Sequence, residues 1–201
     1  MKSDASMKRI AVFASGNGSN AENIIRYFNT GAGAPSHGAE VVLVVCNRPG
    51  APVIDKARAL GVPVSIVTRE MFNDEASMTA LLESRAIDAI VLAGFLLMVP
   101  PFMTARFSGR MINIHPSLLP KFGGKGMYGR HVHEAVVAAG ETETGITVHL
   151  VSDHCDGGDI IFRASTPVAP TDTAADVEAK VHALERAHFP AVIARWLRPS
   201  E

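Results

Sequence analysis

Between residues 9 and 93, short β-branched apolar runs alternate with stretches of helical pattern, and that alternation leaves one broad architecture open to the chain. Arg9–Ala14, Glu40–Cys46, Val62–Val67 and Ala89–Ala93 read as strands. Between them, Asn20–Phe28, Ala51–Leu60 with Gly61 as its terminating glycine, and Asn73–Arg85 with Asn73 as its cap read as helices. The second strand, EVVLVVC, has no polar alternation, so both its faces must be covered. Strands and helices in this order form βαβ units with right-handed crossovers and a parallel sheet. After Met111–Ile114 the pattern changes: Thr144–Val151 and Asp159–Val168 are strands with no helix between them, and Ala174–Leu197 is a closing helix. The expected fold is α/β: a Rossmann-like, mostly parallel twisted sheet with helices on both faces and an antiparallel C-terminal strand pair. Residues 1–8 read as a flexible tail, 9–199 as a single catalytic domain, and GAGAPSHG (31–38) as a loop.

Composition narrows the function classes. The 201 residues are 47% hydrophobic and 19% charged with a net charge of −1, which offers no electrostatic footprint for nucleic acid or a membrane surface. The opening MKSDASMKR lacks the apolar core of a signal peptide. Cys46 and Cys155 are far apart and lack metal-type spacing, which fits a reducing compartment. A cytoplasmic protein acting on small molecules is expected, as monomer or homodimer.

In open α/β sheets ligands sit beyond the carboxyl ends of the strands, at a switch in strand order. The loop after the first strand runs Ser15, Gly16, Asn17, Gly18, Ser19, Asn20, and from Gly16 to Ala21 it matches the glycine pattern of dinucleotide sites. Its glycines admit a ligand close to the backbone, and the helix start that follows favours an anion. A dinucleotide also needs an acidic residue at the end of the second strand to bind ribose, and that position reads Cys46-Asn47-Arg48. NAD is therefore disfavoured, Arg48 keeps only a remote NADP reading, and a single phosphate monoester fits better.

Two further stretches carry chemistry. In MINIHPSLLPKF, Asn113 and His115 are two apart on a strand and project to one face. An amide donor there could stabilise an oxyanion, and an imidazole could do so too while moving a proton. In SDHCDGGDII, Asp156 precedes paired glycines in a loop between strands. A carboxylate facing His115 would raise the imidazole pKa and keep the ring protonated near neutral pH. Asp153 and Asp159 are alternatives to Asp156, and His149 reads as a supporting or core histidine. His131 and His133 begin a helix-like segment, but their i, i+2 spacing does not converge on a metal and no third ligand is apparent.

SGNGSN after the first strand, LAGF after the fourth, and NIHPSLLP answered by DGGDII together resemble the phosphoribosylglycinamide formyltransferase family, over about residues 8–197. The resemblance implies formyl transfer from 10-formyltetrahydrofolate, a co-substrate, to glycinamide ribonucleotide, with no metal and no NAD(P). It implies that Asn113, His115 and Asp156 are catalytic. Gly18, Ser19 and Asn20 match the loop that holds the ribonucleotide phosphate, with Ser15, Gly16 and Asn17 beside them, and Glu185 matches a substrate-contacting carboxylate. Leu96, Leu97, Met98 and Val99 match one wall of a folate pocket, with Asn113 and the loop Ser152, Asp153, His154, Cys155, Asp156 opposite. A formyltetrahydrofolate hydrolase shares the catalytic set but is expected to carry an additional regulatory domain, and a methionyl-tRNA formyltransferase a tRNA-binding domain. The four glycines of Phe122–Arg130 permit a lid.

Overall fold

The computed structural model describes residues 7–31 and 37–198. The expected tail lies outside these residues except for its last two positions, and Lys8 already belongs to the first strand. Most of the expected 31–38 loop also lies outside them.

The strands are β1 (Lys8–Phe13), β2 (Ala39–Cys46), β3 (Val64–Ile66), β4 (Ala89–Leu92), β5 (Met111–His115), β6 (Glu143–Leu150) and β7 (Ile160–Pro167). The helices are α1 (Ser19–Ile25), α2 (Pro52–Ala59), α3 (Arg69–Asn73), α4 (Glu75–Ser84), α5 (Pro101–Arg106), α6 (Arg130–Ala138) and α7 (Ala174–Trp196). One sheet runs in the order β3-β2-β1-β4-β5-β6-β7. Pairing is parallel from β3 to β5 and antiparallel for β6–β7, as the missing helix between those two strands implies; β5–β6 is antiparallel as well, with α6 in the connection.

The period of two along β1 builds a core on each side. Ile10 and Val12 join a cluster with α1, α2 and α7, whereas Ala11 and Phe13 join one with Phe72, Met78, Leu82 and Met103 from α3, α4 and α5. Full burial of each large aliphatic side chain contributes about 1.5–3 kcal/mol, which fixes the strand faces. β2, buried almost throughout, needs both layers.

Three boundaries differ from the sequence expectation. The first helix widens from α into a π-helical turn over Arg26–Thr30. Asn73 caps nothing: Thr68 accepts from Met71 N–H to start α3, and Asp74 accepts from Ser77 N–H to start α4, so the expected single helix is two. α5, which begins at Pro101 after Pro100, is an addition that the Pro-Pro punctuation hid. Among the described residues no helix is long and apolar enough to cross a membrane.

Candidate active site

Strand order reverses between β1 and β4, and the loops after these strands meet there. Ser15 N–H donates to the Gly94 carbonyl, and the Ser15 hydroxyl accepts from Leu96 N–H while donating to Asn47. Ser15 is buried, so it shapes the loop from beneath rather than lining its surface. Gly18 sits at φ 74° as the cap of α1, and a Cβ there would lie 2.5 Å from the Val53 side chain of α2. Only glycine satisfies both constraints. The turn is tied on both sides. Asn17 accepts from Lys56 of α2 at 3.2 Å, and Asn20 donates to Glu185 of α7 at 2.9 Å. Asn20 and Glu185, far apart in sequence, are thus brought together. Burial pushes the Glu185 carboxyl above its ordinary range, partly opposed by His182, Asn20 and Arg186.

Asn113, His115 and Asp156 also come together. β5 ends at Pro116, and the chain turns back through a cage of hydrogen bonds. Thr147 Oγ1 donates to the Ser117 carbonyl and accepts from Leu119 N–H, and Arg163 donates to the Leu119 carbonyl at 2.6 Å. This returns the Phe122 carbonyl to His115 Nε2 at 2.8 Å. A carbonyl only accepts, so Nε2 carries the hydrogen and Nδ1 of the neutral ring faces Asp156 Oδ2 at 3.5 Å. Asp156 Oδ2 accepts from Gly124 N–H at 2.9 Å, and Oδ1 from Asn113 Nδ2 at 3.4 Å. His149 joins the cluster with Nε2 3.1 Å from Asn113 Nδ2 and 3.5 Å from Asp156 Oδ1. Phe122 and Asp156, which clasp His115, both have positive φ, 54° and 53°. Such conformations in non-glycine residues cost of order 1 kcal/mol or more and persist where surrounding contacts impose them.

The expected charge state of His115 is overturned. Burial drives its pKa below the ordinary value, and the upward pull of Asp156 and the Phe122 carbonyl does not offset it. The ring rests neutral, with a free lone pair on Nδ1. For Asp156, burial raises the pKa but is outweighed by its polar contacts, the Gly124 N–H among them, so the carboxylate stays ionised. The pair is a neutral base beside a fixed anion, suited to accept a proton on Nδ1 and stabilise the resulting imidazolium.

The remaining assignments divide. Leu96 and Met98 are exposed on the loop after β4, whereas Leu97 and Val99 pack inward against the second core cluster. Leu97 and Val99 are half-buried, and Leu96 and Met98 face outward. In the opposite loop, Thr104 of α5 donates to Asp153, Ser152 and His154 close a local turn, and Cys155 is exposed beside Asp156. Sequence reasoning missed the Phe122 carbonyl and Gly124 N–H. They are backbone groups without a side-chain signature, and the glycines after Phe122 were their only trace. Among the described residues no group of three His, Cys, Asp or Glu is arranged for a metal ion.

His133, on α6, is buried, with Nδ1 unpartnered among the described residues and its pKa lowered by burial; Glu178 opposes the shift, and His182 and His115 add to it. Both His115 and His133 are therefore neutral when folded and protonated when unfolded below about pH 6.5. The unfolded chain binds the extra protons, so stability is full above that pH and declines as pH falls toward the folded values. Thermal midpoints measured from pH 8 to 5 should fall on acidification, and His133→Leu should flatten the decline. An unchanged slope would remove His133 from this account.

In this α/β fold an amide, an imidazole and a carboxylate converge at the carboxyl end of the sheet. The formyl transferase family model matches residues 8–193, and the chain belongs to that family. It is 37% identical over 194 residues to phosphoribosylglycinamide formyltransferase of Haemophilus influenzae, covering 94% of this chain and 87% of that one. It is 36% identical over 191 residues to the trifunctional purine biosynthetic protein adenosine-3 of Drosophila melanogaster, covering 93% of this chain and 14% of that much longer protein. A phosphoribosylglycinamide formyltransferase structure from Bacillus halodurans superposes with a TM-score of 0.83 at 32% identity, covering 96% of this chain and 97% of that one.

Proposed function

We propose that this chain moves the formyl group of 10-formyltetrahydrofolate to the primary amine of glycinamide ribonucleotide, giving formylglycinamide ribonucleotide and tetrahydrofolate, in cytoplasmic purine biosynthesis. The observation that carries the reading is the convergence of Asn113, His115 and Asp156 in a member of this family. The ribonucleotide phosphate takes the turn Gly16–Asn20, and Glu185 stands by for the ribonucleotide body. The folate lies along Leu96 and Met98 toward the Ser152–Asp156 loop; exposed apolar side chains on one side and polar backbone on the other suit its ring.

The amine attacks the formyl carbon, and the carbonyl electrons become a tetrahedral oxyanion. An Asn113 N–H, released from its long contact with Asp156, donates to that oxygen. His115 Nδ1 takes the proton from the attacking nitrogen, directly or through a water, while Asp156 stabilises the ring's new charge. Collapse of the intermediate breaks the bond to N10, and the same proton leaves Nδ1 for that nitrogen. Holding both substrates in place makes the attack effectively unimolecular.

Tetrahydrofolate release, followed with and without glycinamide ribonucleotide, tests the reading. Release should require the ribonucleotide and match formylated product one for one. Release at the same rate without it would assign the chain to formylfolate hydrolysis.

A further inference from the structure

We infer that His149 is a positioning residue that fixes the direction of the Asn113 amide, an inference that rests on the formyl-transfer reading above. β5 and β6 are antiparallel with Asn113 directly opposite His149, which places the two side chains together on one face. Ring Nδ1 lies 2.8 Å from the Leu150 carbonyl oxygen. That oxygen only accepts, so Nδ1 holds a hydrogen, and the tautomer with its hydrogen there presents a lone pair on Nε2. Asn113 Nδ2, at 3.1 Å, donates to it. A ring protonated on both nitrogens would set Nε2–H against the amide N–H, donor against donor.

The consequence falls on the reacting oxygen. One Asn113 N–H is held at 3.1 Å by His149, and the other faces Asp156 Oδ1 at 3.4 Å. The longer contact is the one a developing oxyanion can replace; the shorter keeps the amide from turning over while it does. A reversed amide would aim its own oxygen at Asp156 and at the oxyanion, an acceptor facing anions. His149 is only 3% exposed, which leaves water little room to take over this task. The residue therefore acts through Asn113 and touches neither substrate.

Turnover of His149→Leu and His149→Gln, alone and combined with Asn113→Ala, tests this. His149→Leu should lower kcat on the order of 30-fold, less than the ~10²–10³-fold expected for removal of the donor itself, with the ribonucleotide KM nearly unchanged. Glutamine, whose amide oxygen can reach the place of Nε2, should recover most of the loss. In the Asn113→Ala background His149→Leu should cost less than about threefold, because the two residues act as a unit. A full additional loss there, or wild-type turnover in His149→Leu, would overturn the inference. Nitrogen NMR of the wild-type imidazole provides a reading independent of turnover. A hydrogen on Nδ1 with Nε2 unprotonated at neutral pH is expected, and a hydrogen on Nε2 overturns the inference. Absence of formyl transfer in the wild type would fail the proposed function and leave the NMR result to decide His149.

Discussion

His115→Ala is expected to lower kcat about 10²–10³-fold in a protein that remains folded, and Asn113→Ala by a similar factor. Each removes a group aimed at charge that exists only in the transition state, so the loss belongs in kcat rather than in KM. Because His115 rests neutral, its alanine variant loses the acceptor for the amine proton as well as the source of the proton for the leaving nitrogen. The double variant should be little slower than either single one. Steady-state turnover at saturating concentrations of both substrates, with thermal melts as a folding control, provides the measurement. Near-wild-type kcat in a folded His115→Ala protein would remove the imidazole from the mechanism.

The second large effect is on stability. A Cβ at Gly158 would stand 1.8 Å from the Leu150 carbonyl oxygen and 2.7 Å from its carbon, backbone atoms that cannot rotate away. The adjacent Leu150 N–H donates to the Asp159 carbonyl at 2.8 Å, so the clash opens the end of the β6–β7 pair. Gly158→Ala should cost about 3 kcal/mol, in the range where backbone strain and lost pairing combine, and lower the thermal midpoint by roughly 6–12 °C for a chain of this size. Activity should fall as well, since Asp156 lies two residues away with its carboxylate held by Gly124 and its backbone at φ 53°. Gly16→Ala is the control. Nothing lies within 4 Å of its added Cβ, so its midpoint should hardly move. An equal, small shift in both would refute the steric argument.

Much of the architecture was legible because burial on both faces leaves a mark on composition. The unbroken runs of β2 and β4 located the parallel part of the sheet, and the lack of a helix between β6 and β7 located its antiparallel end. The side chains of the site were legible for a related reason: Asn113 and His115 share a strand face by the period of two, and Asp156 precedes glycines that let the backbone turn sharply. What escaped depends on tertiary contacts. Asn73 looked like a cap until Thr68 and Asp74 divided the helix between them. The neutral state of His115 follows from burial, and nothing in the motif around it reports how deeply the ring lies. The inward packing of Leu97 and Val99 follows from the α3–α5 layer, which closes only when the sheet is assembled. The backbone groups of Phe122 and Gly124 reach His115 and Asp156 through a turn that the Thr147 and Arg163 side chains hold in place.

The most direct test of the central claim uses 10-formyltetrahydrofolate labelled with carbon-13 in the formyl group, incubated with the protein and glycinamide ribonucleotide and followed by mass spectrometry. The account predicts that the label moves to the ribonucleotide amine in stoichiometric amount, and that His115→Ala and Asn113→Ala slow its arrival without redirecting it. Label recovered as free formate, with the ribonucleotide unlabelled, would contradict it.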